Sequence, residues 1–117
     1  MTAQSALQRA IERRPLLKAS LEDWRPTAVD IRSLHFAPGQ KTGLHSHPCP
    51  VFTYIVEGAT IVQIEGQAEQ RIEAGSAFYE PAGETILRFD NASSTTSLHF
   101  IATYLLNGDQ PLIEMLE

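Results

Sequence analysis

The chain of 117 residues carries four histidines, and two of them stand as His45-Ser46-His47. On an extended strand, residues i and i+2 share a face. Two imidazoles on one face can grip a single divalent metal, and imidazole suits zinc, iron, copper and nickel. Taken alone, the pair is also the pattern of two exposed loop histidines. A third donor separates the two readings, because catalytic metals are usually held by three protein ligands. Glu80 is the candidate. It immediately precedes Pro81, and in the register where Phe78 packs inward Glu80 points inward as well. A carboxylate turned toward an interior needs a cation or a partner. His45, His47 and Glu80 would form a two-histidine, one-carboxylate set with open positions, suited to ferrous iron or manganese. The competing reading leaves Glu80 solvated at a rim.

Other side chains could contribute. His99 alternates with Leu98 and Phe100, and His35 with Leu34 and Phe36, so each faces away from those apolar neighbours. A lone strand histidine is more often a hydrogen-bonded structural residue than a ligand. Glu84 and Arg88 flank position 86 and would line a mouth or simply face solvent. Cys49 sits in Pro48-Cys49-Pro50, two residues from His47. Its thiolate could ligate or react if its pKa were lowered, but a small buried residue packing the turn is the favoured reading. Tyr54, Tyr79 and Tyr104 offer hydroxyls that could orient a ligand. Phe52, Tyr54 and Val56 share one strand face, read as core or dimer face.

The elements that must position these groups are β in texture from residue 27 onward. Strand candidates run over 29–36, 51–57, 59–65, 69–73, 76–80, 85–90 and 95–106. They are rich in β-branched and aromatic residues and punctuated by turns such as Ala37-Pro38-Gly39, Gly66-Gln67 and Pro81-Ala82-Gly83. Seven or eight short strands predict an all-β sandwich or barrel. Ahead of them, Ala3, Leu7, Ala10 and Ile11 fall at helical spacing and predict a short amphipathic helix over 3–13, limited by Pro15. Residues 16–24 fit either a second short helix or an extended arm. The division expected is residues 1–26 as helix and arm and 27–117 as the β domain.

The spacing of glycine, proline and histidine resembles the two signatures of the cupin superfamily. The first reads Gly39, five residues, His45-Ser46-His47, then Gly58 eleven residues on; the second reads Gly75, five residues, Pro81-Ala82-Gly83. The resemblance covers residues 39–91. It implies a single small antiparallel β-barrel of jelly-roll type. It also implies a metal set of two histidines, a glutamate and a third histidine. His45 and His47 match the first pair. The glutamate falls on Val51, or Phe52 with a longer gap, and the third histidine on Ile86. Asp90 takes the final asparagine position, with Asn91 one place late. Small cupins of this kind bind iron, manganese, nickel or zinc and act as dioxygenases or isomerases on small organic molecules. Loss of ligands at 51 and 86 supports a second expectation, a non-enzymatic module binding a small molecule without a working metal. A metal-free isomerase or epimerase using His45 or His47 as base is a third. The chain has no basic cluster to hold a nucleotide diphosphate.

Charge and composition narrow the partners. Nine basic and fourteen acidic residues give a net charge of −5, which speaks against nucleic acid and anionic membrane as partners. With one cysteine there is no internal disulfide. No signal-like apolar run opens the chain, and the longest apolar stretch, 100–106, is too short to span a bilayer. A cytoplasmic protein is expected. The amphipathic N-terminal segment, residues 16–24 and the apolar tail 112–116 either fold onto their own barrel or pair across a two-fold axis, and a homodimer is expected.

Overall fold

The computed structural model describes residues 5–116. Within them lie one helix, α1 (Ala6–Ala10), and nine strands: β1 (Ala28–Phe36), β2 (His45–Ser46), β3 (Val51–Glu57), β4 (Ala59–Ile64), β5 (Gln70–Glu73), β6 (Ala77–Glu80), β7 (Ile86–Asn91), β8 (Leu98–Leu106) and β9 (Glu114–Met115). They form two antiparallel sheets, ordered β1-β8-β3-β6 and β5-β4-β7-β2-β9. The all-β expectation holds. No ladder among the described residues joins one sheet to the other, so closure into a ring of paired strands is not seen.

Alternation sets the two faces. On β3, Val51, Thr53 and Ile55 are buried while Phe52 is half-buried and Tyr54 and Val56 are exposed. On β8, Leu98, Phe100, Ala102 and Tyr104 point inward. From the other sheet Val62, Ile64, Ile86 and Phe89 meet them in one apolar cluster. The face shared by Phe52, Tyr54 and Val56 is therefore the outer face of its sheet. A register shift between Gln63 and Ile64 pairs them with Arg88 and Ile86, which leaves Leu87 as the extra residue of a bulge. The bulge lets both Ile86 and Phe89 face the core despite their odd spacing.

Gly58 has a physical reason to be glycine. Its φ is +84°, and a Cβ there would lie 2.8 Å from the Ser97 carbonyl oxygen. At this point the chain leaves β3 in one sheet for β4 in the other, so the offset between His47 and Gly58 reflects the length of β3.

The N-terminal expectation needs correction. The helix spans five residues rather than eleven and buries none of them; Leu7 and Ile11 are exposed, and Ala3 lies outside the described residues. Ser5 caps it, accepting from the Gln8 amide at 3.2 Å. So short a helix lacks the length to be stable alone, and it ends well before Pro15. Residues 12–21 carry no helix, which settles the ambiguity at 16–24 in favour of an arm. The arm is pinned where Trp24 donates from Nε1 to the Leu105 carbonyl at 2.9 Å. Among the described residues no helix is long and apolar enough to cross a membrane.

Candidate metal centre

Two short strands, which tertiary pairing rather than propensity creates, bring the histidines into place. His45 pairs with Ile86 on one side and Met115 on the other. His47 follows just beyond, where Gly83 donates its amide to the His47 carbonyl at 2.8 Å. The Pro81-Ala82-Gly83 turn thus clamps the residue that the first histidine motif supplies. From the facing sheet comes Glu80, directly paired with Val51 and on the same face. His45, His47 and Glu80 are 2%, 5% and 3% exposed. One nitrogen or oxygen from each lies within 4.8 Å of the others.

The hydrogen bonds reveal which atoms point inward. His45 Nδ1 donates to the Gly43 carbonyl at 2.8 Å, and His47 Nδ1 to the Leu112 carbonyl at 2.7 Å. A carbonyl only accepts, so each Nδ1 carries its proton, and a ring that is neutral presents a lone pair at Nε2. Those two lone pairs face Glu80 Oε2 at 3.5 and 3.3 Å. Neither approach is aligned as a hydrogen bond, and Oε2 is a buried oxygen without a hydrogen-bond partner. Three acceptors converging in a buried space repel one another unless a cation sits between them. The donor set therefore fits a divalent metal, and its two nitrogens and one carboxylate match ferrous iron or manganese.

A proton is the alternative cation. Burial disfavours a charged His47, yet Glu80 beside it, helped by the Leu112 carbonyl, lifts its pKa above the ordinary value. Burial alone would raise the Glu80 carboxyl, but the two imidazoles hold it below its ordinary value. The pocket stabilises positive charge at its centre either way.

The cluster closes the polar end of a cavity between the sheets, walled by Leu34, Phe36, Phe89 and Phe100. Of the resemblance's glutamate and third-histidine positions, Val51 lines the cavity and Ile86 is buried opposite His45. Tyr104 lines the same cavity with its ring 6.0 Å from that of His47. Burial, then the nearby Glu80 charge, pushes its hydroxyl up to about 12. Thr53 also lines it, and its buried hydroxyl has no hydrogen-bond partner. Sequence reading passed over Thr53, although its place between Val51 and Ile55 on β3 already put it on the inner face.

The other candidates lie elsewhere. His35 and His99 stack at 4.0 Å on the outer face, where His99 Nε2 meets the Ser33 hydroxyl at 2.7 Å. Cys49 is fully buried, and burial pushes its thiol up, away from the reactive thiolate. Tyr79 stacks on Phe52, Tyr54 is exposed and Glu84 is exposed. Arg88 is held by Asp90 and Glu69, both at 2.7 Å. Asn91 is structural: its amide donates to the Ala37 and Thr96 carbonyls and its oxygen accepts from the Ser93 amide.

The two-sheet fold and the spaced glycines define a class, and comparison agrees. The Cupin domain family matches residues 32–104. The chain belongs to the cupin superfamily. Among solved structures it resembles a cupin-like protein from Thermotoga maritima at 22% identity and TM-score 0.65, over 75% of this chain and 64% of that one. A DMSP lyase from Ruegeria pomeroyi matches at 14% identity and TM-score 0.65, over 75% of this chain and 43% of the other. An oxalate oxidase in complex with glycolate matches at 24% and 0.63, over 75% and 46%. The chain therefore spans between 43% and 64% of the length of these structures, and at such identities they share the fold alone. No curated protein matches the sequence as a relative.

Proposed function

We propose that this protein binds one divalent transition metal, iron, manganese, nickel or zinc, through His45, His47 and Glu80. The two-sheet domain is read as a jelly-roll barrel spanning 27–117, with 1–26 as helix and arm. At the metal it would act on a small organic molecule as a dioxygenase or isomerase. One observation carries the reading: His45 Nε2 and His47 Nε2 converge at 3.5 and 3.3 Å on Glu80 Oε2, a buried oxygen without a hydrogen-bond partner. The metal would supply a Lewis acid with open positions for substrate and oxygen or water. The chain's own part is to hold both rings by their Nδ1 protons, to keep Nε2 free, and to exclude water with the phenylalanine walls.

The test is metal content by plasma mass spectrometry on tag-free protein, with His47→Ala as control. About one metal per chain, lost in the variant, is expected. Protein that stays empty after supplementation with each metal would refute the metal site. A second reading then takes over, a binding module without metal or turnover. The apolar residues Val51 and Ile86 at usual ligand positions favour it, and ligand-induced thermal stabilisation would reveal it.

A homodimer also belongs to this proposal. Val29, Ile31, Tyr54 and Val56 are exposed on the outer face of the four-stranded sheet. Covering that face across a two-fold axis would bury them. Light scattering on the wild type and on Ile31→Glu tests it; a wild-type monomer ends the idea. The negative net charge and the single free cysteine fit a cytoplasmic protein with no nucleic-acid or membrane partner.

A further inference from the structure

Thr53 sits where a ligand would lie. It is 2% exposed, it lines the cavity, and its hydroxyl is one of two buried side-chain polar atoms among the described residues that have no hydrogen-bond partner. The other is Glu80 Oε2. A buried hydroxyl left unpaired is costly, so a fold keeps one where something else satisfies it. Its surroundings offer nothing: the cross-strand neighbours are Phe78 on β6 and Ala102 on β8. One step along β3 on the same face is Val51, which pairs with Glu80 and Tyr104. That step is about 7 Å. The hydroxyl thus stands one small molecule away from the histidine–glutamate cluster. Threonine has only a χ1 rotor, and turning it exchanges the methyl and the hydroxyl within one volume.

Size and charge restrict what fits. The cavity gives about 60 Å³ to the centres of water-sized groups. That is room for a small molecule and not for an extended one. No lysine or arginine is among the residues lining it. Glu80 is the one acidic residue there, so a divalent cation at the cluster leaves a net charge of about one positive unit. A monoanion neutralises that; a dianion would bring an uncompensated negative charge into a buried site.

We infer that Thr53 is the specificity residue for a small monoanionic 2-hydroxy acid, whose third oxygen accepts the hydrogen bond of the Thr53 hydroxyl. Its other two oxygens face the histidine–glutamate cluster, and its hydrocarbon part meets the phenylalanine walls. The inference rests on the metal reading above, so the test measures the two separately.

Calorimetry on manganese-loaded wild type, Thr53→Val and Thr53→Ser gives first the manganese affinity and then that of glycolate. Thr53→Val keeps shape and removes the hydroxyl; Thr53→Ser keeps the hydroxyl. All three proteins should bind manganese alike, within threefold. Glycolate should bind about tenfold more weakly to Thr53→Val than to wild type, with Thr53→Ser within threefold of wild type. Oxalate, a dianion of similar size, should bind wild type at least tenfold more weakly than glycolate. Equal glycolate affinity in wild type and Thr53→Val overturns the role of Thr53. Oxalate matching glycolate overturns the charge rule, and wild type that takes manganese but no glycolate overturns the ligand class. Failure of wild type to bind any metal refutes the metal reading and this inference with it, and shows in the first titration. If Thr53→Val is poorly folded, Thr53→Ala beside Thr53→Ser repeats the comparison.

Discussion

Replacing Glu80 with glutamine separates metal binding from folding, because it keeps the volume and removes the charge. In the metal-free wild type the cost of burying Glu80 is offset by His47, 3.3 Å away. At an effective dielectric constant of about 20 the attraction of a full ion pair at that distance is roughly 5 kcal/mol, most of it cancelled by desolvation. Glutamine relieves the crowding of acceptors differently. Its amide can donate to a histidine Nε2 lone pair, and His47 then stays neutral. The metal-free variant should therefore lie within about 1 kcal/mol of wild type.

Metal separates the two proteins sharply. Free metal at about 100 times its Kd stabilises a folded chain by ~2.7 kcal/mol. For a domain of this size that is a rise in Tm of roughly 10 °C. An amide is a poor ligand for these ions, and losing one of three donors should weaken binding by at least about 100-fold, more than outer-shell losses cost. At the same metal concentration the variant then gains about 0.4 kcal/mol, or roughly 2 °C. Differential scanning fluorimetry with and without manganese under reducing conditions reads both numbers. A Glu80→Gln protein that keeps the full metal-induced shift would remove the carboxylate from the site. A variant unfolded without metal would refute the view that the cluster's strain is electrostatic crowding.

Three further outcomes follow from the same geometry. The double variant Val51→Glu, Glu80→Val moves the carboxylate to its cross-strand neighbour on the same face; it should recover manganese binding that Glu80→Val alone loses, as titration calorimetry would show. Gly58→Ala forces a positive φ on alanine and drives its Cβ against the Ser97 carbonyl, so urea melts should show a loss of about 3 kcal/mol. Tyr104 has its pKa raised in the fold from 10.0 to about 12, so the stability it contributes is complete below pH 10 and is lost as pH rises toward 12. The loss is about 1.4 kcal/mol at pH 11; Tyr104→Phe should flatten that part of the pH profile in denaturant melts compared at pH 9 and 11.

Long strands were legible because alternation and β-branched residues act locally: 29–36 and 51–57 differ from β1 and β3 by one residue at most. The inward direction of Glu80 followed from Phe78 by the same two-residue period. β2 and β9 were not legible as paired strands, since two residues carry no period and only tertiary pairing, of His45 with Ile86 and with the chain's tail, creates them. The helix is shorter than the apolar stripe over 3–13 predicts, because such a stripe is buried only if a surface exists to receive it, and Leu7 stays 80% exposed. Thr53 escaped because a threonine between two aliphatic residues looks like ordinary strand composition; its missing hydrogen bond exists only in three dimensions.

The position of the carboxylate shows how a spaced motif can lose a residue along the strand while a similar side chain stands near the same place in space. A motif records distance along one strand. A metal senses distance in space, and on a sheet the nearest inward neighbour is often on the adjoining strand, with Cβ atoms about 4.5–5.5 Å apart. Val51 and Glu80 are such a pair, and Tyr104 stands opposite Val51 on its other side. A glutamate on β6 can therefore reach nearly the same point as one on β3, approaching from the turn that ends in Gly83 rather than from the strand that ends in Gly58. The exchange has a physical consequence at the cavity. With valine at 51 the apolar wall extends up to the cluster along β3, and the inward face of that strand carries a single polar group, the hydroxyl of Thr53. A carboxylate on β6 in place of one on β3 thus keeps three donor groups within 4.8 Å of one another and leaves the inner face of β3 apolar but for Thr53.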